Sequence, residues 1–186
     1  MVKKGLVGMA IVIALTAVSL GLQDETVPSL KDVEPFAYCV IAHKGPLSDM
    51  SGVIGRLIQE MQTQNLFSAI RGPMVGVYPE DPSQTDPAAM SWEVGFIVTA
   101  QAEPRAPLVK KVWDHPTVAS IVHIGPYAKS GETIGRLMAW MKAGGHVADG
   151  PLLERYLNNP MQVKPEELRT EIWVPCANKL RIPVKL

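Results

Sequence analysis

One short sequence pattern occurs twice in this chain. HKGP at residues 43–46 returns as HIGP at residues 123–126, and IGRL at residues 54–57 returns unchanged at residues 134–137. Both pairs are separated by the same 80 residues. Several matches in one order at one spacing indicate an internal repeat.

The repeat continues beyond these motifs at a spacing of 78 residues. We therefore predict a tandem duplication, with module one over about 36–99 and module two over about 118–175. The further matches are Gly72-Pro73 with Gly150-Pro151, Pro82 with Pro160, and Glu93 with Glu171.

Each copy begins with a strand and a helix. An apolar run rich in β-forming residues, Phe36 to His43 or Val118 to Ile124, ends at a Gly-Pro turn, which is typical of a strand that stops there. A segment with helical spacing follows. Its apolar positions are Ile54, Leu57, Ile58 and Met61 in the first copy and Ile134, Leu137, Met138 and Met141 in the second.

Two extended runs complete each copy, the last being Ser91 to Thr99 or Leu168 to Val174. Leu152 to Leu157 alone would pass for a helix, but it aligns with the Pro-bounded run Met74 to Tyr78, so we predict a strand. Val109 to Trp113 adds a short extended piece after the linker.

A single three-stranded module leaves one sheet face and the helix stripe poorly covered. We therefore predict an α+β fold: two β-α-β-β modules joined about a pseudo-two-fold axis, with an antiparallel sheet and both helices on one face. The groove between the copies is then available to a ligand, because internal interfaces often hold pockets.

Composition limits the function classes. The 186 residues include 47% hydrophobic and 19% charged residues, enough for one well-buried core, and 18 basic residues balance 18 acidic ones. A nucleic-acid-binding protein needs a basic face. Zero net charge therefore argues against that class.

The N-terminus has the pattern of a targeting segment. Lys3 and Lys4 precede an uncharged run from Gly5 to Leu22, and polar residues follow. This pattern is typical of a cleaved secretory signal or a retained membrane anchor, and a buried core helix is the remaining alternative. We expect residues 1–22 to be the signal or anchor, 23–33 a linker and 34–186 the domain, outside the cytoplasm.

The two cysteines, Cys39 and Cys176, lie in apolar strand-like contexts. In an oxidising compartment they could pair. Small buried thiols are the alternative, and the apolar contexts favour it.

The motifs of the second copy resemble the GyrI-like small-molecule-binding domain. They are His123 to Tyr127, the helix with Trp140, Gly150-Pro151, and the terminal run Arg169 to Pro175, and the resemblance covers roughly Glu34 to Cys176. That family includes effector-binding domains of AraC- and MerR-type regulators and shares its fold with SOUL haem-binding proteins. We expect no helix-turn-helix in this chain, so transcriptional control does not carry over.

The resemblance implies a central cleft for amphipathic, often cationic, molecules, with the terminal-strand glutamate, here Glu171, inside it. From the residues alone, Glu171 interrupts an apolar strand and shares a face with Trp173. An acid beside an aromatic ring suits a cation, whereas an outward-facing surface residue is the alternative. A partly buried Glu171 should also have a raised pKa. Its repeat partner Glu93 is expected to be solvated or structural.

Four aromatic residues complete the predicted ligand-binding set. Tyr127 follows the Gly-Pro turn and could close one end of the cleft, and Trp140 lies on the second helix. Tyr156 and Trp92 lie on strands, as does Tyr78, which could line the cleft or fill it.

No catalytic machinery is evident in the sequence. The histidines lack metal-ligand spacing and are expected to form strand-terminal hydrogen bonds, and no haem ligand or other cofactor site stands out. We predict a non-enzymatic binder of small molecules, without cofactor, metal or nucleic acid. The alternatives are a hydrolase with Glu171 as general base assisted by Tyr127, and an anchored interaction protein whose cleft takes a peptide or lipid.

The localisation is testable by cell fractionation. Because Lys3 and Lys4 should stay in the cytoplasm, a C-terminally tagged chain should be found outside it, either membrane-bound or shortened by the leader's mass. Full-length chain in the soluble cytoplasmic fraction would contradict the expectation.

Overall fold

The structure, a computed structural model, describes residues 26–80 and 85–177. The predicted signal or anchor at residues 1–22 lies outside these ranges. Within them, no helix combines the length and the apolar character needed to span a bilayer.

The described chain alternates strands with two α-helices. Strands β1 and β2 span Ser29–Asp32 and Phe36–Lys44 and precede helix α1 at Met50–Thr63. Strands β3, β4, β5 and β6 follow at Ile70–Tyr78, Ser91–Val98, Val109–Trp113 and Thr117–Ile124. Helix α2 spans Ser130–Ala143, and strands β7, β8 and β9 span Val147–Ala148, Leu152–Tyr156 and Arg169–Ala177.

The strands form one curled antiparallel sheet in the order β1-β6-β9-β8-β3-β4-β2-β5, with β7 paired to β9. The predicted α+β class, the antiparallel sheet and the strand assignment of Leu152–Tyr156 are confirmed. Strands β3 and β8 pair in the middle of the sheet. Their ladder joins the strands of the two predicted modules.

Two edge strands cross between the halves of the sheet. Strand β1 lies within the range expected to be a linker, yet it pairs with β6, where Lys31 is opposite Val118. Strand β5 pairs with β2, where Lys111 is opposite Tyr38. These pairings are related by the same 80-residue spacing as the sequence motifs. The duplication stays a prediction, which this correspondence supports.

The sheet has two faces with different cover. Both helices pack on one side, which we call the outer face; α1 buries Val53, Leu57 and Met61 there. The opposite side, the inner face, carries its own cluster, in which Trp113 of β5 and Trp173 of β9 have ring centroids 6.4 Å apart. Since these strands are far apart in the sheet order, their contact reflects the curl.

The helical stripe of the first copy differs from its prediction at one end. Leu57 and Met61 are fully buried, but Ile58 is 36% exposed, and Val53 takes its place in the core. The helix is rotated slightly relative to the predicted stripe, because only part of its surface is covered by the sheet.

The repeated Gly-Pro turns have a backbone reason. Gly45 and Gly125 adopt φ values of 145° and 127°, a region that residues with a Cβ atom rarely enter. Each glycine ends a strand, and the proline after it leads into a short 3-10 turn that precedes a helix. The two HxGP motifs therefore encode the same strand-to-helix connection.

Close backbone packing at Gly95 provides a test of the sheet. A Cβ at Gly95 would overlap the carbonyl oxygen of Cys39 on the neighbouring strand β2. Because backbone cannot rotate away, Gly95→Ala should lower the free energy of unfolding by about 3 kcal/mol in urea denaturation. Gly52→Ala on helix α1, where a Cβ meets open space, is the control and should change it by less than about 1 kcal/mol. Equal stabilities of the two variants would contradict this packing.

Candidate functional site

A buried carboxylate lies at the centre of the sheet. Glu154 of β8 is 7% exposed, and its Oε2 accepts hydrogen bonds from the hydroxyl of Tyr156 at 2.9 Å and of Tyr78 at 3.2 Å. The two tyrosine hydroxyls are 3.3 Å apart. We call these three residues the acid site.

The central strand pairing creates the acid site. Glu154 lies opposite Gly76 in the β3–β8 ladder, and Tyr156 and Tyr78 stand two residues further along their strands, on the same face. A Cβ at Gly76 would lie 2.8 Å from the Tyr156 hydroxyl and 3.0 Å from that of Tyr78. The glycine therefore leaves the space that both hydroxyls occupy.

The acid site sits where the two copies meet. The repeat spacing of 78 residues relates Tyr78 to Tyr156 and Gly76 to Glu154, and each of these pairs faces the other across the central ladder. Since glycine stands in one copy and glutamate in the other, the site contains a single carboxylate between two equivalent phenols.

The carboxylate of Glu154 is not charge-compensated by a basic side chain. In residues 26–80 and 85–177, no lysine or arginine forms an ion pair with it. Burial raises its pKa, and hydrogen bonds from Tyr156, Tyr78 and Ser130 and the nearby His123 only partly oppose that effect. Burial next to Glu154 also raises the pKa of both tyrosines.

The second helix and its leading turn border the acid site. Ser130 begins α2, and His123 at the end of β6 binds the Thr133 hydroxyl at 2.8 Å and the Pro126 carbonyl at 3.1 Å. Tyr127 packs edge-on against Tyr156, with ring centroids 5.4 Å apart, and is 39% exposed. Tyr127 is thus the aromatic residue between the acid site and solvent.

The second buried glutamate, Glu171, lies on the inner face. It is 4% exposed and forms ion pairs with Lys31 of β1 and with Arg155, whose Nη1 is 2.5 Å from Oε2. Ser120 donates a further hydrogen bond at 3.2 Å. The guanidinium carbon of Arg155 lies 4.5 Å from the centre of the Trp173 ring, so this protein supplies its own cation–π partner.

The expected raised pKa of Glu171 is wrong. Burial does raise it, but hydrogen bonds from Lys31 and Trp173 and the charges of Lys31 and Arg155 outweigh burial, so the pKa is lowered overall. The sequence could not indicate these partners, because Lys31 is 140 residues away along the chain.

The structure separates the residues predicted to bind ligand. Tyr127 and Tyr156 lie with Glu154 on the outer face, whereas Glu171 and Trp173 share the inner face, as their alternation predicted. The two remaining residues are elsewhere. Trp92 is buried and donates to the Gly45 carbonyl at 2.9 Å, and Trp140 stacks on His146 near the end of α2, with ring centroids 5.2 Å apart. The ligand-binding roles of this set stay predictions.

Other polar residues of the sequence analysis have structural partners. Glu93 forms an ion pair with Lys111, as expected of a structural counterpart of Glu171. His43 at the end of β2 binds Asp49 at 2.9 Å, beside an open depression of about 510 Å³ at the start of α1. Because Asp49 already pairs with His43 there, this depression offers no uncompensated charge to a ligand.

Cysteine and metal chemistry have little support in the described chain. Cys39 and Cys176 are buried free thiols, and burial raises the pKa of Cys39 to about 11. No group of three or more His, Cys, Asp or Glu side chains is placed to hold a metal ion in the parts of the chain that the structure covers.

Sequence reasoning missed Glu154 and Gly76. A signal was present: Glu154 precedes Tyr156 by two residues, so both point to one face of a strand, and its repeat partner is a glycine. An acid aligned with glycine beside two aligned tyrosines marks a position where the copies have different roles.

Comparisons with known proteins agree with this architecture. A family model described as "GyrI-like small molecule binding domain" matches residues 26–177. A comparison with curated protein sequences found no match.

Solved structures share the fold at low sequence identity. The C-terminal domain of EcmrR is 18% identical with a TM-score of 0.73, covering 82% of this chain and 98% of that one. A hydrolase from Listeria innocua is 13% identical with a TM-score of 0.65, covering 84% and 94%. SAV2435, solved bound to tetraphenylphosphonium, is 14% identical with a TM-score of 0.59, covering 82% and 94%.

The two buried glutamates should affect stability with opposite dependence on pH. The raised pKa of Glu154 means that the folded chain holds more protons than the unfolded one, whose glutamates have a pKa of about 4.3, so stability falls as pH rises through that window. Glu154→Gln should therefore raise Tm at about pH 8 by about 2–4 °C, the shift expected for ~1 kcal/mol. The gain should shrink towards about pH 5.

Glu171→Gln is the matched comparison. The lowered pKa of Glu171 stabilises the fold above the unfolded pKa, and this contribution is lost as pH falls. Removing the charge also leaves Arg155 unpaired, so this variant should lose about 2 kcal/mol at neutral pH, and less in acid. Calorimetric Tm curves with the same sign for both variants would contradict the charge assignments.

Proposed function

Because this chain belongs to the GyrI-like small molecule binding domain family, we propose that it binds small amphipathic organic cations at the carboxylate of Glu154. One observation carries the proposal: Glu154 is a buried acid that hydroxyl groups surround and no basic residue of the described chain neutralises. A buried charge without a partner is costly, so the site favours a positively charged guest.

The surroundings of Glu154 favour an organic cation over a small, strongly hydrated one. Tyr127 and Tyr156 present aromatic rings beside the carboxylate, and such rings attract a desolvated cation within about 6 Å. A cation whose charge is spread over apolar groups loses less hydration on entering a buried site and also buries apolar surface. Tetraphenylphosphonium, with which SAV2435 was solved, has this chemistry.

A cleft between the two modules is part of the proposal. Glu154 and Tyr78 come from the two strands at the module boundary, and helices from both modules pack on the same face. We infer that a ligand enters past Tyr127, because that ring is exposed and contacts Tyr156. Rotation of Tyr127 would open the way to the carboxylate.

Glu171 is a weaker candidate for the same role. Its carboxylate already binds Lys31, Arg155 and Ser120, so a ligand cation would have to displace an existing partner. Its lowered pKa also makes it a poor general base, which removes the main support for the hydrolase alternative that used Glu171 and Tyr127. No observation favours a peptide or lipid in place of a small molecule.

The extracytoplasmic location also stands as a proposal. Its support is the sequence of residues 1–22, in which Lys3 and Lys4 precede an uncharged run. A binder of amphipathic cations behind a signal or anchor would meet these compounds at or beyond the membrane surface.

Titration calorimetry with tetraphenylphosphonium tests the binding site. Glu154→Gln keeps the shape of the side chain and removes its charge, so affinity should fall by about 1.5–3 kcal/mol, or roughly 10- to 150-fold. Triphenylphosphine oxide, a neutral compound of related shape, should bind both proteins equally, because burial of its apolar surface is unchanged.

Glu171→Gln serves as the matched control and should change the affinity for the cation by less than about threefold. If Glu171→Gln weakens binding and Glu154→Gln does not, the ligand binds on the inner face and the proposed site is wrong. If the wild type binds neither compound, the proposed function itself fails.

A further inference from the structure

We propose that the empty acid site holds a proton on Glu154, and that an organic cation binds by exchanging with this proton. The inference rests on the proposed function and adds to it a stoichiometry and a dependence on pH. It concerns the atoms of Glu154, Tyr78 and Tyr156 and their immediate neighbours.

The geometry of the three oxygens supports the proton. Glu154 Oε2 is 3.2 Å from the Tyr78 hydroxyl and 2.9 Å from the Tyr156 hydroxyl, and those hydroxyls are 3.3 Å apart. A closed triangle of three hydrogen bonds needs three protons. An ionised glutamate leaves only two, both donated to the carboxylate, and then no hydrogen remains for the contact between the tyrosines.

A protonated glutamate completes the triangle. Its hydroxyl donates to Tyr78, Tyr78 donates to Tyr156, and Tyr156 donates back to the Glu154 oxygen. Each oxygen then gives one hydrogen bond and accepts one. All three polar groups are satisfied without a charge, which suits a site buried from water.

The other buried glutamates show the alternative arrangement. Glu171 has Lys31 and Arg155 as partners, and Glu93 has Lys111, so both are neutralised by fixed cations. Glu154 faces only hydroxyl groups and one histidine. A proton is therefore the available counter-charge until a cationic ligand arrives.

The groups around Glu154 come from several elements, and most are neutral hydroxyls. They are Tyr78 of β3, Tyr156 of β8, Ser130 of α2, Tyr127 from the turn before α2, and His123 of β6. His123 is the other group that could hold a proton. Its Nε2 must donate to the Pro126 carbonyl, and its Nδ1 can accept from the Thr133 hydroxyl, so a neutral ring satisfies both contacts.

The exchange step is balanced. The O–H bond of the Glu154 carboxyl breaks, the proton passes to buffer, and the cation takes up the resulting carboxylate charge. Below the pH at which the empty site ionises, affinity for a cation should rise about tenfold per pH unit, and above it affinity should become constant. Binding of a neutral ligand should not depend on pH. The protein would thus bind cations in a neutral or alkaline medium and release them in an acidic one.

Calorimetry in two buffers measures the exchange. Tetraphenylphosphonium is titrated into the full-length chain at one pH in buffers of different ionisation enthalpy, and the difference in heat gives the number of protons released. We expect close to one proton per cation at about pH 6, falling towards zero as the pH is raised. Glu154→Gln should release none at any pH.

His123→Gln identifies the source of the proton. The number of protons released should persist in this variant, and its loss would assign the proton to His123 and overturn the proposal. Cation binding without proton release, at an affinity independent of pH, would refute the exchange and leave the proposed function intact.

Infrared spectroscopy of the unliganded protein gives a result that needs no ligand. The neutral carboxylic acid should contribute a carbonyl band that is absent from Glu154→Gln. Lack of this band in the wild type at about pH 6 would overturn the proposal even if no cation binds.

Discussion

The pairing of β3 with β8 is the constraint on which the rest of the structure depends. This ladder lies in the middle of the sheet, so it holds the halves together and sets the positions of both helices on the outer face. It also places Gly76 opposite Glu154 and brings Tyr78 and Tyr156 within hydrogen-bonding distance. A slip of one residue would turn these side chains to the other face and remove the acid site.

Strand β8 presents opposite charges to the two faces of the sheet. Glu154 points to the outer face, and its neighbour Arg155 points to the inner face, where it binds Glu171. The same alternation therefore supplies a fixed cation to one glutamate and denies it to the other. Glu171, ion-paired to β1 and β8, contributes to holding the sheet together, whereas Glu154 retains the capacity to bind an external partner.

This division explains why a binding domain would keep a costly buried acid. An ion pair such as Lys31 with Glu171 offsets the desolvation of the carboxylate inside the fold itself. At Glu154 only hydroxyl groups are provided, so part of that cost remains until a cation or a proton is bound. Selectivity for organic cations then follows from the charge of the guest together with the aromatic rings of Tyr127 and Tyr156.

The sequence by itself determined the local features of this protein. The HxGP turns, the apolar stripes and the alternation of Glu171 with Trp173 depend on neighbouring residues, so the α+β class, the order of elements and the family resemblance could be predicted. Only the tertiary structure decided which glutamate has a charged partner. Lys31 reaches Glu171 across 140 residues because β1 pairs with β6 and not with β2, and Glu154 loses contact with water because β3 and the helix α2 cover it. Pairing between distant strands and burial from water are properties of the assembled sheet, and no local pattern encodes them.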